Sequence, residues 1–303
     1  MLTSSKIVEI FCSIDDFCLE FAPKWKNHLI GQAKKRYKPN KLCLSEIMTI
    51  QMLFHLSGYR NFKTFYLAMI KGHLQSYFPK AVIYNRMVEL MKESLIPLAI
   101  YLKTNAIGDC TGISFIDSTP LRVCHNRRIH KHKVFDGLAG RGQCSIGWFY
   151  GFKLHLIVAE TGEIVDFMLT PGNVDDRKPL KIERFVKKLF GKLFGDKGYT
   201  GKELFKNLFF RGVHLVTKLK KNMKSKNVTP IMDAILLRKR AVCESIIDQL
   251  KNIFQIEHSR HRSPSNFLNN LFAALIAYNF TEKKPSITAS IPILNNYFYQ
   301  FEK

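Results

Sequence analysis

A chain of 303 residues, 46% hydrophobic and 23% charged, has the composition of a folded protein and the length for one large domain or two of ordinary size. Its 47 Lys and Arg stand against 24 Asp and Glu, a net charge of +23. So large an excess is self-repulsive on folding and calls for a polyanionic partner, for which nucleic acid fits better than an acidic small molecule.

A membrane is not the expected partner. No apolar run reaches the roughly 18 residues of a span, and neither end carries a lipidation motif. The apolar stretch from Ile7 to Phe21 is interrupted by Glu9, Asp15, Asp16 and Glu20, unlike a signal peptide. Seven cysteines, odd in number, scattered and never spaced C-x-x-C, argue against a disulfide framework and for a reducing compartment. Cys124, His125, His130, His132 and Cys144 are zinc-ligand types, but their spacing fits no finger pattern.

In chain order, Ile7, Ile10, Phe11, Ile14, Phe17, Cys18 and Phe21 recur at three and four, the stripe of a first helix. A basic connector from Gly31 to Lys41 follows. Ser45 with Glu46 is expected to open a second helix that Gly58 ends, and Asn61 to cap a third. A fourth is expected from about Ala81 to Leu102. The first 105 residues therefore read as all-helical and basic, with 15 Lys and Arg against 7 Asp and Glu. Such short helices suit a helix-turn-helix reader of DNA and a plain dimerisation unit about equally.

After Gly108 the pattern changes. Ile113 to Ile116 is a short apolar run that delivers Asp117 to a strand's end. Phe152, Leu154, Leu156 and Val158 alternate with Lys153 and His155, a strand expected to be half covered, and Val165, Phe167 and Leu169 alternate likewise. Asp175 or Asp176 is expected to cap a helix carrying Ile182, Phe185, Val186 and Leu189. A strand ending at Leu193 and Phe194 then delivers Asp196 inside Gly-Asp-Lys-Gly-Tyr, with Thr200 to Glu203 reading as a capping box for the next helix. Another strand runs from Val213 to Val216. The fold class is thus α/β: a mixed sheet flanked by helices, preceded by an all-helical N-terminal domain. The expected division is residues 1–108, 109–285 and a tail at 286–303, with the helix from Asn266 to Phe280 closing the core of the sheet domain.

By itself an Asp in a glycine turn reads as a turn or capping residue. Strand ends in open α/β sheets are, however, where chemistry is built, and two acids are delivered there. A third stands on a helix: Arg240, Glu244, Asp248 and Lys251 share one face, and Val242, Ile246 and Leu250 the other. Spacing alone favours the plainer reading, a solvated face with the ion pairs Arg240–Glu244 and Asp248–Lys251. Other charged and aromatic groups have plainer readings: His155 as a structural strand residue, and Trp148, Phe149 and Tyr150 as strand packing rather than a stacking platform for a base.

Asp117 in Phe-Ile-Asp-Ser-Thr-Pro, Asp196 in Gly-Asp-Lys-Gly-Tyr and Glu244 in Arg-x3-Glu-x6-Lys resemble the three acids of the DDE transposases of bacterial insertion sequences. The Arg240, Glu244, Lys251 spacing is similar to the signature of the insertion sequence 4 superfamily. Lys133-Val134-Phe135, Gly140-Arg141-Gly142, Trp148 to His155, Thr170 to Asp176 and Ser259 to Ser263 resemble the insertion sequence 982 family. Together these cover Ser114 to Tyr278. One departure is Leu237, where the superfamily pattern has Tyr three positions before the Arg.

The resemblance implies an RNase H-like fold and a DNA transposase that hydrolyses phosphodiesters at the ends of its element and joins the freed 3′-hydroxyl to target DNA. It implies Asp117, Asp196 and Glu244 as catalytic residues and ligands of two Mg²⁺ ions, with Mn²⁺ able to substitute. The implied partners are inverted-repeat ends and target DNA, with a homodimer or higher oligomer in the complex, in a bacterial cytoplasm at the nucleoid. Arg240 and Lys251 would hold phosphates beside Glu244. Arg122, Arg127, Arg128, Lys131 and Lys133, in an acid-free run with three histidines, would contact backbone near the metals, joined by Arg260 and Arg262. The run from Lys218 to Lys226 would be a further phosphate-contacting loop. The alternatives are a nuclease of the same fold that never joins strands, and a catalytically silent copy that binds DNA as a repressor.

Overall fold

The computed structural model describes residues 2–28, 40–218, 230–257 and 261–287. The chain forms two compact units: the described residues of Met1–Ala106 with Leu250–Thr281, and those of Ile107–Gln249 with Glu282–Lys303.

The first unit is helical. Helix α1 (Ser4–His28) buries Ile7, Ile10, Ile14 and Cys18, the stripe its periodicity announces. Helix α2 (Leu44–Leu56) is the centre of the unit and is covered on every side, so even Thr49, Gln51 and His55 are buried. Its capping box starts from Cys43 rather than Ser45: the Cys43 thiol accepts from the Glu46 amide, and the Glu46 carboxylate accepts from the Cys43 amide. Ser45 is drawn away because its hydroxyl donates to Asp15 on α1 at 2.6 Å. Asn61 caps α3 (Phe62–Phe65) by accepting from the Thr64 amide, as expected, and the chain runs on as a π-helix over Tyr66–His73.

The expected fourth helix is two, α4 (Tyr84–Glu93) and α5 (Leu95–Thr104), broken at Ser94. Pro97 is the reason: with no N–H to give, it fits the first turn of a new helix and not the interior of a long one. The Ser94 hydroxyl, donating to the Met91 carbonyl and accepting from Gln51, fills the break.

The last helix, α11 (Pro264–Asn279), departs from the expected division. It packs against α2, α4 and α5. The helical unit is therefore discontinuous in sequence, and the chain from Leu250 to Thr281 belongs to it rather than to a sheet domain running to residue 285. A helix buried at Phe267, Leu271, Ala273, Ala274, Leu275, Ile276, Ala277 and Tyr278 has apolar residues all round, and its periodicity alone cannot say which neighbours cover it.

The second unit is built on a six-stranded mixed sheet. Its strands are β1 (Ile113–Cys124), β2 (Gly140–Cys144), β3 (Gly147–Ala159), β4 (Ile164–Pro171), β5 (Gly191–Gly195) and β6 (Val213–Thr217). The order is β2-β3-β1-β5-β6, with β4 paired to β3 beyond β2. Pairings among β1 to β4 are antiparallel, while β5 joins β1 and β6 in parallel. Between β4 and β6 run α6 (Lys178–Lys181), α7 (Glu183–Val186) and α8 (Lys202–Phe209), and after β6 come α9 (Ile231–Lys239) and α10 (Ala241–Asn252), the last ending in the helical unit.

Several local expectations are corrected. The β3 strand is covered on both faces, with His155 as buried as Leu156. The single helix expected around Ile182 is two short turns broken at that residue. Gly201, not Thr200, is the N-cap of α8, because the Thr200 hydroxyl is engaged with that of Thr217 at 3.3 Å. At Gly151 a Cβ would lie 2.0 Å from the Leu121 carbonyl oxygen, so only glycine lets β1 and β3 approach there.

Candidate active site

Strand β1 is longer than its apolar run suggests, and Asp117 lies inside it rather than at its end. Its partner β5 stops earlier: the parallel register is Ile113 with Lys192, Ser114 with Leu193 and Phe115 with Phe194. Two residues further along the same register, Asp117 comes opposite Asp196, the first residue beyond β5. By the alternation of strand side chains both acids lie on the face of the stacked Phe115 and Phe194 rings, 5.5 Å apart, and not on that of the core cluster containing Ile116 and Leu193. Among the described residues, β1 beyond Phe115 is paired to β3 alone, on its other edge.

The glycines around Asp196 do different things. A Cβ on Gly195 would stand 3.2 Å from both Ile116 and Tyr199, so this glycine lets the strand end pack closely. Around Gly198 there is open space. Asp196 itself is extended and exposed, just before a short 3₁₀ turn at Lys197–Tyr199.

Glu244 is in the first turn of α10, whose buried face carries Val242, Cys243, Ile246 and Leu250. One side chain ties this helix to the strand. The Arg240 guanidinium donates to Asp117 Oδ2 at 2.9 Å through one nitrogen and to Glu244 Oε1 at 3.0 Å through another. Asp117 also accepts from the Ser118 amide at 2.9 Å. Burial pushes the Asp117 carboxyl up from its ordinary value, against the pull of Arg240, and the charges of Glu244 and Asp196 add to the rise. The same three acids hold the Arg240 guanidinium charged. Cys243 sits in this environment too, and burial holds its thiol far above the range in which it would be a nucleophile.

Arg240 therefore joins Asp117 and Glu244 directly, and Asp196 is near enough for its charge to act on both Asp117 and Arg240. Among the described residues no three His, Cys, Asp or Glu side chains stand together as a metal-holding group. Arg240 forks between Asp117 and Glu244 and supplies positive charge there. The donor set, carboxylate oxygen only, is that of a hard divalent cation. Residue type thus fits such an ion, provided that Arg240 yields.

The remaining expected residues are dispersed. Arg122, at the far end of β1, is exposed, as are Arg127, Arg128 and Lys131 on a 3₁₀ helix (Asn126–Lys131) and Lys133 after it. They form a basic segment running from the strand that carries Asp117. Lys251 pairs with Glu257 at 2.9 Å in the helical unit, to which the exposed Arg262 also belongs. Arg260, and the lysines at positions 220, 221, 224 and 226, lie outside the described residues. Leu237, at the position of the departed Tyr, is buried and brings no polar atom.

Asp176 has a role that its reading as a helix cap missed. Its carboxylate accepts from the Ser118 hydroxyl and the Lys153 ammonium, each at 3.0 Å, while Lys153 also donates to the Val174 carbonyl. It braces β1 at the residue next to Asp117. The signal was present in the Thr170 to Asp176 motif, but not its meaning. Asp175 does make a turn, accepting from the Arg177 amide and guanidinium, which hold its carboxyl well below the usual range. His155 is wholly buried, bonded to the Thr170 hydroxyl at 2.9 Å, and burial lowers it to about 4, the behaviour of a structural imidazole. Phe149 and Tyr150 pack inside, whereas Trp148 is half exposed beneath the Arg141 guanidinium, 5.0 Å from its ring centre.

A family model described as a transposase DDE domain matches residues 107–264. No curated protein matches the chain. Among solved structures, the piggyBac transposase synaptic complex with hairpin DNA is similar at 10% identity over 99% of this chain and 82% of that one, with a TM-score of 0.41. The Mos1 strand transfer complex is similar at 10% identity over 88% of each chain, with a TM-score of 0.23.

Proposed function

The chain belongs to the transposase DDE domain family and is an enzyme of that kind, and from that premise we propose that Asp117, Asp196 and Glu244 are its catalytic acids. The observation that carries the assignment is the β1–β5 register, which runs on to set Asp117 level with Asp196, together with the Arg240 fork that ties Glu244 to Asp117. The sheet unit is read as RNase H-like. The finer relationship is to the insertion sequence 982 type, a bacterial element, with the protein acting at the nucleoid.

The proposed reaction is hydrolysis of a phosphodiester at each end of the element, followed by attack of the freed 3′-hydroxyl on target DNA. Asp117 and Asp196 would share the contacts to one ion, and Glu244 would complete the place of a second. Two Mg²⁺ ions, or Mn²⁺ in their stead, would activate the attacking oxygen and stabilise the leaving one. The protein's own part is to hold these oxygens in one geometry. The β1–β5 pairing fixes the aspartates, Asp176 braces the neighbouring residue, and α10 brings Glu244 from a separate element. With cations held by the acids, Arg240 would be free to hold a phosphate by its fork.

The net charge of +23 supports a DNA partner. The exposed segment from Arg122 to Lys133 supports backbone contact near the acids. Two ends brought together imply a dimer or larger assembly on DNA. Among the described residues no helix is long and apolar enough to cross a membrane.

The test is to incubate the protein with end-containing DNA in Mg²⁺ and map the broken and newly formed phosphodiesters. Cleavage at the element ends with joined products supports the reading. Cleavage without joining points to a nuclease, and binding without cleavage to a silent copy. Activity that survives both EDTA and Asp196→Ala contradicts the assignment.

A further inference from the structure

The helical unit holds a cavity of about 430 Å³ that the acid site does not use. Two helices each turn an i,i+4 pair of polar residues into it: Gln51 and His55 from α2, Asn266 and Asn270 from α11. Gln51 is only 1% exposed and Asn270 8%, so these are buried groups and not a wet surface. Gln51 Oε1, Asn266 Oδ1, Asn270 Nδ2 and His261 Nε2 are all buried without a hydrogen-bond partner. Leaving so many polar atoms unpaired is costly, which points to a partner that enters the cavity.

The chemistry of the lining narrows what that partner is. His55 Nδ1 donates to the Phe254 carbonyl at 2.7 Å, which fixes its tautomer and leaves Nε2 as an acceptor. Burial lowers both His55 and His261 to about 4, so at neutral pH the floor carries amides and neutral imidazoles. It offers donors and acceptors side by side but no charge, unsuited to an ionic headgroup or a hydrocarbon. Aromatic rings stand on the wall: Phe62 is edge-on to Phe54 at 5.3 Å and 6.3 Å from Tyr84. The charge is at the rim, where Arg60 and Lys63 are exposed and the Lys63 ammonium lies 5.8 Å from the Tyr84 ring centre. A flat, neutral, aromatic ring with mixed hydrogen-bonding edges, tethered to an anion, satisfies all three features. That is the description of a nucleotide.

With the DNA-binding reading, on which the choice of source rests, we propose that this cavity takes the base of one unpaired nucleotide of DNA, its phosphate held by Arg60 and Lys63. The Asn270 amide and Gln51 Oε1 meet the edge of the base, and Phe62 or Tyr84 its face.

The test uses the full-length chain in EDTA, where neither metal nor turnover enters. Two hairpin DNAs are compared, identical except for a single bulged 2-aminopurine in one. The wild type is expected to bind the bulged hairpin about tenfold more tightly, with a change in 2-aminopurine fluorescence. Asn270→Leu, which fills the cavity and removes the amide, is expected to abolish that preference while paired DNA still binds. Should this variant fail to fold, Lys63→Ala at the exposed rim carries the comparison, with a smaller drop in preference. Equal binding of the two hairpins by the wild type, or a preference that survives both substitutions, overturns the proposal. Saturable binding of dAMP or TMP without any preference for the bulge assigns the cavity to a soluble nucleotide and overturns the DNA source. A wild type that prefers the bulge yet never cleaves DNA leaves this site standing while the catalytic reading fails.

Discussion

In the sheet unit the polar groups of the site are charged and meet one another: Arg240 with Asp117 and Glu244, and Lys153 with Asp176. In the helical unit the buried polar groups are neutral amides and imidazoles, several of them without a partner. The difference teaches what each region needs. Three acids in one place repel each other unless a cation is present, so the sheet site depends on positive charge, whether from Arg240 or from a metal. A neutral cavity is indifferent to cations and depends instead on a ligand that can hydrogen-bond, and on its histidines staying unprotonated.

The contrast can be broken most forcefully at the acids. Asp196→Ala, at an exposed position, is expected to leave the fold intact and lower metal-dependent DNA cleavage by on the order of 10³-fold; near-wild-type rates would remove Asp196 from the chemistry. Next in size is the response to acid. His55 and His261 have folded values near 4, depressed from 6.5. Their contribution to stability is therefore complete above about pH 6.5 and is lost as pH falls through 4, by up to about 3 kcal/mol each. The melting temperature should drop across that window, and His55→Asn, which keeps a donor for the Phe254 carbonyl, should flatten the drop. A profile that is unchanged in this variant would mean that the cavity is not where the protons bind.

Arg240 sharpens the other side. Arg240→Ala leaves Asp117 mostly buried beside two like charges, at a cost of about 2 kcal/mol in EDTA. Added Mn²⁺ should restore the melting temperature, because a cation replaces the guanidinium; a drop that Mn²⁺ does not repair would show Arg240 to be purely structural. The smallest effect is expected at the basic segment. Arg127→Ala should reduce the slope of log K against log salt by about 0.9 for each phosphate that is no longer neutralised, measurable by DNA binding at several ionic strengths.

Much of this architecture was legible in the residues. The stripe of α1, the Asn61 cap, the strand around Phe152 to Val158 and the delivery of Asp196 all follow from local pattern, and local pattern is what periodicity reports. The misses have long-range causes. The Gly-Arg-Gly-Gln-Cys strand β2 has no apolar alternation and is held only by its pairing with β3. The second half of β1 has Pro120 inside it and no apolar alternation to announce a strand, and β3 pairs with it along its length. Ser45 gave way to Cys43 as a cap because Asp15 on another helix claims its hydroxyl. Nothing in the spacing of α11 says that it belongs with helices some 180 residues earlier, as the Asn269 bond to the Met91 carbonyl does. At the site, the helical face with Arg240 and Glu244 was evident from the sequence, but the fork to Asp117 was not, since it spans elements 123 residues apart. Asp176 was hidden by its neighbour Asp175, which does make the turn expected of the pair.

The central claim is that Asp117, Asp196 and Glu244 form one cation site with Arg240 as its resident counter-charge. Calorimetric titration with Mn²⁺ tests it most directly. The wild type should bind Mn²⁺, and both Asp196→Ala and Glu244→Ala should lose that binding while keeping the wild-type circular dichroism. Mn²⁺ binding that is the same in all three proteins would contradict it.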